Sequence, residues 1–196
     1  MMCPPSEVPP HFMAPPEYSQ QERTLLLQFA HDAIDSALIE KSISTEPPTP
    51  HLAEPRGAFT TLHIEGKLRG CVGYVVPLYP LYRTIAETAM AAAFQDDRFP
   101  PVTSAEAPLL RVEISILSPL KPITPEEIVI GKHGLVVNRG SYRGLLLPQV
   151  PLEWGWDRET FISQTCRKAG LPTDAWKKGA TLEAFTAEIF SEPNSR

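Results

Sequence analysis

The sequence predicts an α+β fold, a two-lobed single domain in which helices pack on a mixed or antiparallel β-sheet. Three observations carry that prediction. Segments with the helical repeat of apolar residues are mixed with segments of period two. The strand-like segments are joined in pairs by short glycine turns rather than by regular helical crossovers. A chain of 196 residues, 42% of them hydrophobic, is long enough for one domain with a real core and a small attached lobe.

The elements follow in order. Six prolines fall in the first 16 residues, so residues 1–18 read as a disordered, proline-rich leader. From Glu22 to Lys41, Leu25, Leu26, Phe29, Ala33, Ile34, Ala37 and Leu38 recur at helical spacing. Ser19 caps this helix, with Glu22 three residues on as in a capping box. Glu46 to Pro50 (EPPTP) reads as a linker. Ala58 to Glu65 alternates as a strand, Gly66 turns the chain, and Lys67 to Val76 returns. Leu81 to Phe94 is a second helix whose alanines, 86, 89 and 91 to 93, let a neighbour pack very close. DDRFPPV at 96–102 breaks it. Leu109 to Leu117 is a strand with Leu110, Val112, Ile114 and Ile116 on one side. Thr124 with Pro125 opens a short helical turn. Leu135–Val137 and Tyr142–Pro148 form a hairpin around Asn138-Arg139-Gly140. Asp157 caps a third helix, Arg158 to Ala169, stopped by Gly170 and Pro172. Leu182 to Phe190 reads as one final strand. The ordered domain is expected over 19–192, with 193–196 as a tail.

A net charge of −5 argues against a protein built to coat nucleic acid or an anionic membrane. No apolar run approaches the roughly 18 residues that span a bilayer, and MMCPPSEVPP has no secretion-signal pattern. Three cysteines without CxxC spacing make no disulfide framework, so the expected location is cytoplasmic, with reduced thiols. No P-loop, dinucleotide glycine fingerprint, HExxH or GxSxG occurs. No cofactor and no metal site are expected.

Chemistry concentrates in LRGCVG at 68–73. On a regular strand Arg69, Cys71 and Gly73 share one face and Leu68, Gly70 and Val72 the other. A guanidinium about 6 to 7 Å from the sulfur's residue, measured between Cα atoms, favours the thiolate. Gly70 and Gly73 leave the backbone open to a close neighbour. The opposing reading is equally physical: cysteine is among the most buried residue types, and a strand glycine often marks a bulge. Glu113, His133 and His63 are proton-handling candidates by type alone. Cys166, near a helix end, reads as packed and inert. Trp154 and Trp156 read as packing anchors. Arg139 and Arg143 bracket a hairpin tip, where they either grip an anion or are merely solvated.

Taken together, LRGCVG, AFQDDRFPPV, VEISILSPL, GKHGL, GLLLPQV and FISQTCRKAGL resemble, in order and spacing, the motifs of the AMMECR family. The resemblance runs from about Glu22 to Phe190, with Val72 standing where the family hallmark has isoleucine. It implies a compact α+β structure of a larger and a smaller lobe, with the LRGC segment near a cleft between them. It also implies Memo-like and radical-SAM proteins as partners, the chain being similar to protein A of the AmmeMemoRadiSam system. The positions it singles out are Arg69, Gly70, Cys71, Gly73, Asp97, Arg98, Phe99, Glu113, His133, Gln149, Cys166 and Lys168. Two functions compete. In the favoured one the protein is a ligand- or partner-binding component and LRGC is the tight floor of a groove. In the alternative it is an enzyme with Cys71 as nucleophile in the inter-lobe cleft, Arg69 lowering its pKa and Glu113 or His133 moving protons. Nucleic-acid binding ranks last.

Overall fold

Helix α1 spans Gln20–Leu38 and begins as a capping box requires. The Ser19 hydroxyl accepts from the Glu22 N–H, and the Glu22 carboxylate accepts from the Ser19 N–H. The computed structural model describes residues 16–41 and 48–192. Most of the expected leader, Glu46 and Pro47 of the expected linker, and the tail lie outside the described residues.

The first hairpin pairs β1 (Ala58–Ile64) with β2 (Lys67–Tyr74). Its two turn residues, Glu65 and Gly66, have φ of 50° and 73°, the left-handed pair of a two-residue hairpin. Helix α2 (Leu81–Phe94) and β3 (Arg111–Leu117) follow. Residues 107–109 form a short 3-10 turn, so the strand expected from Leu109 starts two residues later. With β8 (Ala187–Ser191) these strands form a four-stranded sheet in the order β2-β1-β3-β8.

One face of that sheet is sealed. Ala58 and Leu62 of β1 and Val112, Ile114 and Ile116 of β3 are buried with Leu26, Ala30 and Ile34 of α1 and Ile85, Ala89 and Ala92 of α2. Each leucine or isoleucine buried in this way contributes about 1.5–3 kcal/mol relative to exposure. The alternate residues of β1 and β3 are only half-buried.

A second sheet, β4-β7-β5-β6, comprises β4 (Lys121–Pro122), β5 (Gly134–Arg139), β6 (Tyr142–Leu146) and β7 (Thr181–Phe185). Helices α3 (Val150–Glu153) and α4 (Arg158–Lys168) lie between β6 and β7 in sequence. Asp157 caps α4 by accepting from the Thr160 N–H at 2.8 Å. Leu135, Val137, Phe161, Ile162, Cys166 and Leu182 form this core. Gly144 lets the helix in: a Cβ there would stand 2.2 Å from the Ala169 nitrogen.

The described chain thus forms two units, residues 16–117 with 188–192, and residues 118–187. Both sheets are antiparallel, and the class is α+β. The single strand expected over Leu182 to Phe190 is two. Ser118 accounts for the break: its hydroxyl accepts from the Thr186 N–H at 3.0 Å, and its own N–H donates to the Thr186 carbonyl at 2.9 Å. With Thr186 taken up by Ser118, the chain leaves β5 after Phe185 and joins the other sheet from Ala187.

Candidate functional site

The LRGC segment lies on β2, an edge strand. Its register with β1 is Cys71 to Thr61 and Gly70 to Leu62, but His63 then faces Leu68. Arg69 is the extra residue of a β-bulge. The bulge overturns the expectation that Arg69 shares a face with Cys71, because period two fails at that residue.

Arg69 is nine-tenths buried and bound elsewhere. Its Nε and Nη2 donate to the two carboxylate oxygens of Glu106 at 2.9 and 3.3 Å. Its guanidinium carbon stands 6.0 Å from the centre of the Phe99 ring. The Arg69 bond, followed by the Thr103 N–H and hydroxyl, holds the Glu106 carboxyl down at about 2. The third nitrogen, Nη1, is buried without a partner among the described residues.

Gly70 faces inward with Leu62, against α2. A Cβ on it would fall 2.1 Å from the Ala92 carbonyl oxygen, so the glycine and the alanine face of α2 together set the helix–sheet distance. Gly73 serves the other face, where a Cβ would stand 2.2 Å from the Phe59 ring.

An edge strand leaves alternate N–H and C=O groups unpaired. At Cys71 the loop after α2 takes that place. Asp96 Oδ2 accepts from the Cys71 N–H at 2.9 Å, and Arg98 Nη2 donates to the Cys71 carbonyl at 3.4 Å. Arg98 also grips Asp96 through Nε and Nη2 at 2.9 and 2.7 Å. The Arg98 bonds first, and the Cys71 N–H after them, hold the Asp96 carboxyl well below the usual range. The Asp96 side chain is only 6% exposed while that of Arg98 is 57%. The Asp-Asp-Arg motif therefore clamps the LRGC backbone, with Asp96 as the working acid. Asp97, the acid singled out from sequence, is exposed beside it.

The Cys71 sulfur lies on the half-buried face and accepts from the Thr61 hydroxyl at 3.3 Å. Thr61 also pairs with Glu113 of β3, so Cys71, Thr61 and Glu113 form one rung across three strands. Two strand spacings put Glu113 about 10 Å from Cys71 along the rung, with Thr61 between them. The flanking rungs are Gly73–Phe59–Ser115 and Leu68–His63–Arg111.

The remaining candidates fall in the 118–187 unit. His133 Nδ1 accepts from the Val129 N–H at 3.2 Å, and burial and Lys132 push its pKa down. Gln149 caps α3 through its backbone carbonyl, which accepts from the Leu152 N–H at 3.0 Å. Cys166 is fully buried, and burial pushes its thiol pKa up. Lys168 is exposed at the end of α4. Trp154 is 59% exposed and stacks on Trp156, so only one of the pair packs inward. No group of three or more His, Cys, Asp or Glu suited to a metal occurs among the described residues. No helix among them is long and apolar enough to cross a membrane.

These features define an α+β protein whose signature strand is locked through its backbone. The chain belongs to the AMMECR1 family, whose model matches residues 27–190. A protein of Thermococcus gammatolerans is 45% identical over 186 residues, covering 87% of this chain and 90% of that relative. Protein MJ0810 of Methanocaldococcus jannaschii is 43% identical, covering 90% and 92%. The crystal structure of uncharacterized protein PH0010 from Pyrococcus horikoshii matches with a TM-score of 0.74 at 43% identity, covering 86% of this chain and 90% of that one.

Proposed function

We propose that this protein is a cytoplasmic binding component whose helix-free sheet face receives a Memo-like partner protein, with a radical-SAM protein acting on the same assembly. The observation that carries the proposal is the asymmetry of the β2-β1-β3-β8 sheet. Helices α1 and α2 seal one face. The other presents half-exposed Phe59, Thr61, His63, Cys71, Arg111, Glu113 and Ser115 in three adjacent rungs. A rigid polar surface with one aromatic ring suits recognition, and the bonds to Arg69 and Cys71 fix it in place.

A second reading, with Cys71 as a nucleophile, has the Thr61 hydrogen bond in its favour, since a hydroxyl donated to sulfur stabilises a thiolate. It lacks the arginine that would have activated the sulfur, because Arg69 is committed to Glu106.

Calorimetric titration with the purified Memo-like protein of the same organism tests the proposal. Glu113→Arg reverses a charge in the central rung and should weaken binding about tenfold or more. Glu126→Lys, exposed in the 118–187 unit, should leave it unchanged. Cys71→Ser, which exchanges only sulfur for oxygen on that face, should change the affinity by less than about threefold. Absence of binding, or equal affinity in Glu113→Arg, refutes the proposal. Loss of binding in Cys71→Ser alone moves the cysteine reading to the front.

A further inference from the structure

The β5–β6 hairpin outruns the helix it packs on. On its inner face Leu135 pairs with Leu146 and Val137 with Gly144, and this face packs on α4. Period two puts the next rung, Arg139 with Tyr142, on the same face. Helix α4 ends at Lys168, however, and both side chains emerge into solvent, Tyr142 being 56% exposed. Beneath them Gly170, at φ 74°, turns the chain into Leu171 and Pro172. The Tyr142 ring lies 3.7 Å from where a Cβ on Gly170 would stand. The result is an open cavity of about 530 Å³ with Arg139, Ser141 and Tyr142 on one wall and Leu171 and Pro172 on the other.

The charge around this cavity is one-sided. Arg139, Arg167 and Lys168 stand near it with no aspartate or glutamate among residues 139–142 and 164–172, while Arg143, paired with Asn138, lies on the opposite face of the hairpin, where Glu183 accepts from Asn138. Arg139, Arg167 and Lys168 are exposed, and no ion pair among the described residues engages them. Among the described residues Arg167 donates to the amide oxygen of Gln164 at 3.5 Å. The last carbonyls of α4 accept from the N–H groups of Ala169, Gly170 and Leu171, so the helix end does not cancel the patch.

We infer that this cavity docks a short acidic segment of a partner protein. A carboxylate fits the fork of Arg139, with Lys168 and Arg167 adding attraction nearby. An apolar neighbour of that carboxylate packs on the Tyr142 ring and on Leu171 and Pro172. A nucleic acid fits less well, because cations gathered around one pocket hold a single anion, whereas a polyanion needs a track of them along its backbone. This site lies wholly within the 118–187 unit and stands independently of the sheet face described above.

Fluorescence anisotropy with a labelled peptide of alternating glutamate and leucine tests the inference on the full chain. Saturable binding that weakens with added salt is expected. Arg139→Ala and Tyr142→Ala should each lower the affinity about tenfold or more, while Lys67→Ala on the other unit should not change it. All these side chains are exposed, and near-ultraviolet circular dichroism checks that each variant stays folded. Absence of peptide binding, or binding insensitive to both cavity variants, overturns the inference. So does tighter binding of a labelled single-stranded oligonucleotide that the same variants abolish, which would give the cavity to nucleic acid.

Discussion

Replacing Gly70 with alanine probes the reason a glycine stands in the signature. The added methyl carbon would lie 2.1 Å from the Ala92 carbonyl oxygen and 3.0 Å from its carbon. Ordinary contact begins near 3.4 Å, so α2 or β2 must retreat by about 1.3 Å at that point. The obstacle is helix backbone, which has no rotamer to escape into, and the neighbouring Ala89 and Ala93 are fully packed. Overpacking of this kind costs about 1–3 kcal/mol, and the rigid obstacle places this case near 3 kcal/mol. For a chain of this length that lowers the melting temperature by about 6–12 °C, read by circular dichroism. Ala92→Gly should not rescue the variant, because the clashing atom is the carbonyl oxygen rather than a side chain. Gly140→Ala is the comparison: no atom lies within 4 Å, and its φ of 61° costs about 1–2 kcal/mol. The reasoning fails if Gly70→Ala melts no lower than Gly140→Ala, or if Ala92→Gly restores it.

Two pH-dependent predictions follow from the Arg69–Glu106 ion pair and the half-buried His133 imidazole. The Glu106 carboxyl is depressed to about 2, so its contribution is present above the unfolded glutamate range and is lost as pH falls from about 4.5 towards 2. Glu106→Gln should flatten the acid slope of the melting temperature in that window, and an unchanged slope would remove Arg69–Glu106 from the account. His133 titrates below its ordinary value, so the neutral ring is the stable folded form and stability falls as pH drops below about 6.5. His133→Asn should reduce that dependence in melting curves taken between about pH 7 and 5.

The local chemistry of the sequence was a good guide where a pattern contained its own explanation. The Ser19–Glu22 box, the Gly66 turn, the limits of α2 and the Asp157 cap each rest on residues within four positions of one another. The site was less legible, because its decisive contacts are distant in sequence. Arg69 finds Glu106 37 residues away, and the Cys71 N–H finds Asp96 25 residues away. Neither acid announces its partner by spacing. Asp96 and Asp97 are indistinguishable in sequence, and only the geometry after α2 selects the first. The bulge at Arg69 leaves a trace in Gly70, since glycine accompanies bulges, yet one glycine could not say which residue is extra. The division of β7 from β8 left only a faint trace, Thr186 and Glu188 interrupting the apolar series of Leu182, Ala184 and Phe190, while the cause of the break, Ser118, lies 68 residues away.

The central claim is that Arg69 belongs to Glu106 and that LRGC works through its backbone. Its most direct test is the pH profile of Cys71 alkylation in a Cys3→Ala, Cys166→Ala background, with and without Arg69→Gln. Glutamine keeps a hydrogen bond to Glu106 while removing the cation, and near-ultraviolet circular dichroism confirms the fold. Superimposable profiles are the predicted result. A profile displaced to higher pH when the guanidinium is lost would show that Arg69 does act on the sulfur, contradicting the account and making Cys71 a candidate nucleophile.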